Sequence, residues 1–466
     1  MQFSKITIET IHQLKTIVKP QNVFTDEETL KRYSHDETED LSFLPEVVVK
    51  PETTEEVSAL LKFCYDNTIA VTPRGAGTGL SGGALPVFGG ISLSMEKMNK
   101  IIEIDARNLQ AHVEAGVITE VLIDEVAKRN LLYPVDPSSK GSCFIGGNIA
   151  HGSGGPRVVK YGTLRDYILN LEVVLPNGEV IWTGANTLKY ASGYNLTQLM
   201  IGSEGTLGVI TKAVLKLVPK PSHNLVMLAS FPSADSACEA VSAVFRAGMT
   251  PSALEFMERT GMEWVLKYEE IKFELKDNVE AYLLVEVDGN NLETLRADCE
   301  KIGEVLYKHG CSDILLGESA SEKEELWKIR RKMPLSVKAN SVYKEEDTVV
   351  PRAELPKLLK GIKEIGNKYG FKSVCYGHAG DGNLHVNIIK ESMTEEAWEN
   401  QLPLGIKEIM QLTVKLGGTL SGEHGIGLIQ KPYMSIKFSE VHLQLMRSIK
   451  QVFDPKGILN PGKIFN

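Results

Sequence analysis

Glycines crowd residues 75–90 of this chain: Gly75, Gly77, Gly79, Gly82, Gly83, Gly89 and Gly90. Such a run breaks any regular helix or strand, because glycine costs backbone entropy and packs no side chain. It calls for a loop whose main chain approaches something closely. Within it, Gly77-Thr78-Gly79-Leu80-Ser81-Gly82 matches G-x-G-x-x-G. That pattern marks a nicotinamide-type dinucleotide fold only where it opens a helix. Here Gly83, Pro86, Gly89 and Gly90 follow, so no helix is expected and the nicotinamide reading is rejected. Taken alone, the loop fits a ligand-free turn cluster equally well.

Three later stretches shift that balance. They are Asp136-Pro137-Ser138-Ser139-Lys140-Gly141-Ser142-Cys143-Phe144-Ile145-Gly146-Gly147-Asn148, then Gly154-Gly155-Pro156 through Tyr161-Gly162, then Ile201-Gly202-Ser203-Glu204-Gly205-Thr206-Leu207-Gly208. Each offers many backbone N–H groups and little side-chain bulk, the material of an anion-binding concavity for a pyrophosphate.

Around these loops the pattern is α+β. Residues 1 to about 40 read as helices, with Ile11, Leu14, Ile17 and Val18 at helical spacing. Thr53 followed by Glu56 predicts a capped helix start. Ile91–Ser94, Ala111–Ala115, Leu171–Leu175 and Val209–Val218 read as strands, and Pro219-Lys220-Pro221-Ser222 as a linker. Beyond it, helical segments (235–247, 291–308, 354–369) alternate with strands (224–230, 281–287) around an expected central sheet. The expected division is an N-terminal helical segment (1–40), a glycine-loop domain (41–220), a second α+β domain (221–411) and a C-terminal segment (412–466).

Composition removes several function classes. The formal net charge of −9 argues against a broad nucleic-acid surface. No apolar run is long enough to span a bilayer, and the N-terminus lacks the apolar centre of a signal peptide, so a cytoplasmic protein is expected. Cys64, Cys143, Cys238, Cys299, Cys311 and Cys375 are scattered, which excludes a readable disulfide framework or iron–sulfur cluster.

Two further segments carry chemistry: Tyr376-Gly377-His378-Ala379-Gly380-Asp381-Gly382-Asn383-Leu384-His385-Val386-Asn387 and Ser421-Gly422-Glu423-His424-Gly425-Ile426-Gly427. The Gly380–Asn383 stretch must turn, and on a strand resuming at Leu384 the side chains of His385 and Asn387 share a face. His378 can fold back toward His385. Two imidazoles and a carboxylate suit a divalent transition metal with open positions. Leu326-Trp327-Lys328-Ile329-Arg330-Arg331-Lys332-Met333-Pro334 supplies cations that could grip a carboxylate, although a solvated basic face explains Arg331 and Lys332 equally well.

Pro73–Gly79, Lys140–Asn148 and Gly202–Gly208 together resemble the PCMH-type FAD-binding domain of the vanillyl-alcohol-oxidase family. The resemblance runs through nearly the whole chain. It is closest to the branch with D-lactate dehydrogenases, the glycolate oxidase flavoprotein subunit and D-2-hydroxyglutarate dehydrogenase. It implies an FAD-binding domain plus an α+β cap domain with a central antiparallel sheet. It also implies FAD contacts from Arg74, Gly75, Ala76, Gly77, Thr78, Gly79, Ser81, Gly82, Pro137, Gly141, Ser142, Cys143, Gly146, Gly147, Asn148, Gly154, Gly155, Tyr161, Gly162, Glu204, Gly205, Ile210 and Asn460. Covalent members carry a histidine where this chain has Thr78, so non-covalent FAD is expected.

The same resemblance makes His378, His385 and Glu423 metal ligands, His424 the base and Arg330 the substrate-carboxylate residue. The metal could be zinc, iron or manganese. The implied activity is oxidation of a small D-2-hydroxy acid to the 2-oxo acid by hydride transfer to flavin, with electrons leaving to a soluble redox protein such as an electron-transferring flavoprotein. D-2-hydroxyglutarate dehydrogenases place a lysine downstream of the substrate arginine. A gap-free reading puts Glu345 there, with Lys344 one place off, which favours a monocarboxylate such as D-lactate. Glycolate or D-2-hydroxyglutarate oxidation, a flavin oxidase or alkylglycerone-phosphate-synthase-like enzyme, and a non-catalytic electron carrier stay open as alternatives.

Overall fold

Thr53 starts its helix as its spacing predicts. Its hydroxyl accepts from the Glu56 N–H at 3.2 Å, and the helix runs Thr54–Asn67. The computed structural model describes residues 3–269, 271 and 273–465. Near the start, helices Ile8–Ile17 and Glu27–Arg32 flank a short strand, Val23–Phe24, that pairs antiparallel with Val47–Val49. The first 40 residues are therefore stitched into a sheet rather than forming a helical segment of their own. Pro20 breaks the helical run, and Val23 with Phe24 suits a pleated edge.

The chain forms two compact units, and neither is continuous in sequence. The first comprises Met1–Gly154, Thr163–Lys220 and Glu423–Asn466; the second comprises Gly155–Gly162 and Pro221–Gly422. Gly155–Gly162 thus leaves the unit that its glycine-rich neighbours build, and the C-terminal changeover falls at Glu423 rather than near residue 412.

The first unit holds a four-stranded sheet in the order Val23–Phe24, Val47–Val49, Ile91–Ser94, Val71–Arg74, parallel except for its first pair. A second, five-stranded antiparallel sheet runs Ile101–Asp105, Gln110–Glu114, Val209–Lys216, Ile168–Val174, Val180–Trp182. The strand expected to run to Val218 stops at Lys216, and Val218–Pro219 pairs instead with Leu131–Leu132. No helix follows Gly82: residues 75–90 are loop and turn throughout.

The second unit is built on a seven-stranded antiparallel sheet. Its order is Asp313–Gly317, His223–Phe231, Ala281–Gly289, Ala253–Glu258, Lys372–Gly377, Asn383–Ile389, Tyr343–Val349. Alternation along these strands makes two faces. On one, Leu228, Tyr282, Leu284, Met257, Val374 and Tyr376 pack against Leu326, Ile329, Met333 and Val337 of the helix Ala320–Asn340. That helix passes through Pro334, whose ring lacks the N–H that would bond the carbonyl of Arg330, four residues earlier. No helix among the described residues is long and apolar enough to cross a membrane.

Candidate active site

The first unit contains a cleft walled by backbone. Gly75, Ala76, Gly77, Thr78, Gly79, Pro137, Cys143, Gly147 and Asn148 line a cavity of about 130 Å³, together with His151, Glu423 and His424. An adjoining cavity of about 70 Å³ is lined by Arg74, Gly75, Gly146, Gly147, Glu204, Gly205 and Ile210. A Cβ on Gly75 would sit 3.4 Å from the Gly147 Cα, so side chains at these positions would fill the cradle. Arg74 is buried beneath the loop with its Nη1 atom unpaired, and its guanidinium lies 5.2 Å from the Tyr33 ring. A buried cation with an unused donor, beside two glycine-lined cavities, fits an anionic pyrophosphate.

Hydrogen bonds brace these walls. Asn460 Nδ2 donates to the carbonyls of Gly83 (2.9 Å) and Glu204 (2.7 Å). The Glu204 carboxylate accepts from the Ile426 and Gly427 N–H groups at 2.7 and 2.8 Å. Gly82 N–H donates to Thr38 at 2.6 Å, and the Ser81 carbonyl accepts from Leu428 N–H at 2.8 Å. His424 is anchored through its carbonyl, 3.2 Å from His151 Nδ1. Gly154 gives Glu423 room: a Cβ there would lie 2.5 Å from Glu423 Oε2.

The second unit gathers titratable side chains on the apolar face of its sheet. The link between Lys372–Gly377 and Asn383–Ile389 is a tight turn. At Gly382 φ is +79°, and a Cβ would lie 1.9 Å from the Val350 carbonyl oxygen, so only glycine fits. The turn folds His378 back on His385, with ring centroids 5.4 Å apart and both rings buried. Glu255, one residue beyond the Phe256–Gly377 pair, lies 2.8–2.9 Å from His378 Nδ1 and accepts from Arg330 Nε at 2.8 Å. Burial pushes the Glu255 carboxyl up, but its attraction to His378 and Arg330 outweighs this and holds it below the usual carboxylate range. Removing Arg330 would leave that carboxylate buried and short of a partner, at a cost on the order of 3–5 kcal/mol. The Arg330 guanidinium lies 5.1 Å from the Tyr376 ring, and burial raises that tyrosine's pKa far above its ordinary value.

The neighbouring strand adds two acids to the same face. Asp347 pairs with His385 and Glu345 with Asn387 across the ladder. Glu345 Oε1 lies 3.4 Å, and Asp347 Oδ1 3.8 Å, from His385 Nδ1. Asp347 also accepts from Asn383 Nδ2 (2.7 Å), Ser421 Oγ (2.7 Å) and Gly422 N–H (2.8 Å). Lys344 points the other way, its Nζ 5.5 Å from the Trp398 ring. At His378 the Glu255 carboxylate occupies Nδ1, which leaves Nε2 as the atom that could hold a metal.

Most residues expected at the flavin line one of the two cavities, but several do not. Gly155, Tyr161 and Gly162 belong to the second unit. There the Tyr161 hydroxyl donates to the buried Asp288 at 2.6 Å, and Lys160 pairs with the same carboxylate. An acid that deep needs donors, and this segment supplies them. Gly141 and Ser142 are exposed and off the cavity walls. Arg331 and Lys332 pair with Glu324 and Glu269 at the surface. Sequence reasoning missed Glu255, Asp347, Tyr376 and His151. Only His151, directly ahead of the Gly152–Gly155 stretch, carried a local signal.

Both halves of the chain match known domains, "FAD binding domain" over residues 45–184 and "FAD linked oxidases, C-terminal domain" over residues 220–464. The protein therefore belongs to the family of FAD-linked oxidoreductases. Within it the chain is of the D-lactate, glycolate and D-2-hydroxyglutarate dehydrogenase type. It is 39% identical over 464 residues to the glycolate oxidase subunit GlcD of Bacillus subtilis (strain 168), covering 99% of this chain and 97% of that one. It is 38% identical over 469 residues to a D-lactate dehydrogenase of Anaerostipes hadrus, covering 99% and 98%. Its fold is PCMH-type: p-cresol methylhydroxylase superposes with a TM-score of 0.79 at 20% identity, covering 98% of this chain and 96% of that one.

Proposed function

We propose that the protein oxidises a small D-2-hydroxy monocarboxylate, D-lactate ahead of glycolate, to the 2-oxo acid. Arg330 binds the substrate carboxylate with the outer amines of its fork. His424, on the wall of the flavin cleft, takes the proton of the 2-hydroxyl. His378, His385 and Glu423 hold a divalent transition metal. When bound, FAD would accept the hydride that leaves C2, and the metal would acidify the 2-hydroxyl. Thr78 offers no nucleophilic ring at the position where covalent relatives attach flavin, so FAD is held non-covalently.

The observation that carries the choice of substrate is the register of the edge strand. Glu345 shares a face with His385 and Asn387, while Lys344 is on the opposite face against Trp398. An acid there repels a second carboxylate, which disfavours D-2-hydroxyglutarate. The test is a panel of D- and L-2-hydroxy acids added anaerobically, with flavin bleaching as the readout. D-lactate is expected to reduce the flavin fastest; a higher kcat/KM for D-2-hydroxyglutarate would overturn the reading.

The electrons then leave to a separate redox protein, an electron-transferring flavoprotein being the expected kind. Scattered, buried cysteines offer the chain no metal–sulfur relay. Stopped-flow reoxidation of substrate-reduced enzyme decides this: slow in air and fast with an added electron-transferring flavoprotein is the expected result. Reoxidation by O₂ at the rate of turnover would make the protein an oxidase.

A further inference from the structure

Glu255 is 1% exposed and lies on a strand that is otherwise largely apolar, Ala253–Glu258. A carboxylate at that depth persists only with strong partners. Its partners are two of the residues assigned above to different tasks, Arg330 at 2.8 Å and His378 at 2.8–2.9 Å. An ionised carboxylate can only accept, so His378 must donate from Nδ1 and keeps Nε2 for a ligand bond. Arg330 is engaged at Nε, on the inner edge of its guanidinium, and the Tyr376 ring lies 5.1 Å from the guanidinium carbon. Engagement at Nε leaves the end-on pair of Nη N–H bonds for a second carboxylate. The kink-prone step at Pro334 removes one helix bond from the Arg330 carbonyl, so the carboxylate supplies restraint that the helix lacks there.

We propose that Glu255 is a positioning residue that sets two functions at once: it aims the Arg330 fork at the substrate carboxylate, and it fixes the His378 tautomer that presents Nε2 to the metal. The proposal rests on the roles given to Arg330 and His378 under the proposed function. It differs from a merely structural ion pair in what it makes sensitive. A structural pair affects unfolding alone, whereas this one governs metal affinity and carboxylate affinity separately.

The experiment uses the FAD-loaded full chain, stripped of metal by chelation. It is titrated with Zn²⁺ alone in competition with a chromophoric chelator, and with pyruvate alone by calorimetry. Glu255→Gln removes the charge at constant shape; Glu255→Asp keeps the charge but is one methylene too short to reach both partners. Glu255→Gln should weaken Zn²⁺ binding about 10–100-fold, the usual cost of losing a carboxylate behind a histidine ligand. It should weaken pyruvate binding about tenfold, with FAD content unchanged. Glu255→Asp should weaken at least one arm by a similar factor, and it carries the test if the glutamine variant does not fold. Wild-type affinity for both probes, within twofold, in both variants would overturn the proposal. Loss of only one probe in Glu255→Gln would overturn the dual role. A wild-type protein that binds pyruvate but no Zn²⁺ would instead overturn the metal reading of His378, and with it that half of the proposal.

Discussion

Replacing Glu345 with glutamine should change which acids the enzyme prefers more than how fast it works. Glu345 Oε1 lies 3.4 Å from His385 Nδ1 and opposite Asn387, so its charge borders the proposed substrate position. D-lactate carries no second charge. D-2-hydroxyglutarate carries a second carboxylate, and we take about 6 Å as its separation from Glu345. At an effective dielectric constant of about 20, two like charges at that distance repel by roughly 3 kcal/mol. That is about a 100-fold penalty, and adjustment of a flexible substrate reduces it toward tenfold. Glu345→Gln should therefore raise the ratio of kcat/KM for D-2-hydroxyglutarate over D-lactate by about 10–100-fold, and Glu345→Lys by more. The ratio is the right readout, because any disturbance of His385 slows both substrates and cancels. The assay is dye-linked turnover on both acids at fixed metal and FAD saturation. A ratio within twofold of the wild type would refute the placement of the substrate chain beside this strand.

Three other outcomes are expected. His424→Ala should slow anaerobic flavin reduction about 10²–10⁴-fold, measured by stopped flow, without loss of FAD; reduction near the wild-type rate would reassign the base. Chelated protein should keep its flavin, lose turnover and regain it with a divalent transition metal, and full activity in protein shown metal-free by elemental analysis would remove the metal from the mechanism. Lys463 is 3% exposed, its Nζ donating to the Leu85 carbonyl, and burial lowers its pKa to about 8 from the ordinary 10.5. Because the folded value is the depressed one, the unfolded chain holds more protons between these limits, and stability rises with pH there. Urea unfolding should show the wild type gaining up to about 3 kcal/mol on Lys463→Met from pH 8 to above 10.5, an advantage lost as pH falls through 8; a pH-independent difference would contradict the burial argument.

What could be read from sequence is what is local. The loops at residues 75–90 and 136–148 announce themselves because glycine at short spacing has few other uses. The His378–Asn387 segment is legible because one turn places both imidazoles together. Glu255 is not, since it is separated by 75 residues from Arg330 and 123 from His378, and nothing in Ala-Leu-Glu-Phe-Met-Glu distinguishes a site acid from a strand-edge acid. Only the strand order brings them together. Tyr161 has a partner that local reading could not find: the chain crosses to the other unit at Gly155, and its hydroxyl donates to Asp288. Which of Lys344 and Glu345 shares a face with His385 turns on a one-residue register, which spacing cannot resolve and strand pairing does.

The discontinuity of the flavin unit also governs how the protein is made. Its cleft needs Asn460 to brace Gly83, and Val71 pairs with Leu459. Between the glycine loops and those braces lies the main stretch of the second unit, Pro221–Gly422. At about 5–20 residues per second, a ribosome needs roughly 10–40 s to cross it. During that interval the nascent loops of the first unit have no C-terminal wall, and His424 has yet to be synthesised. FAD capture therefore follows the appearance of residues 423–463, and the second unit can fold first, as an insert within an unfinished host. A yellow protein is then a report of completed synthesis, and chains cut short in this stretch should emerge colourless, with the glycine loops open to proteases.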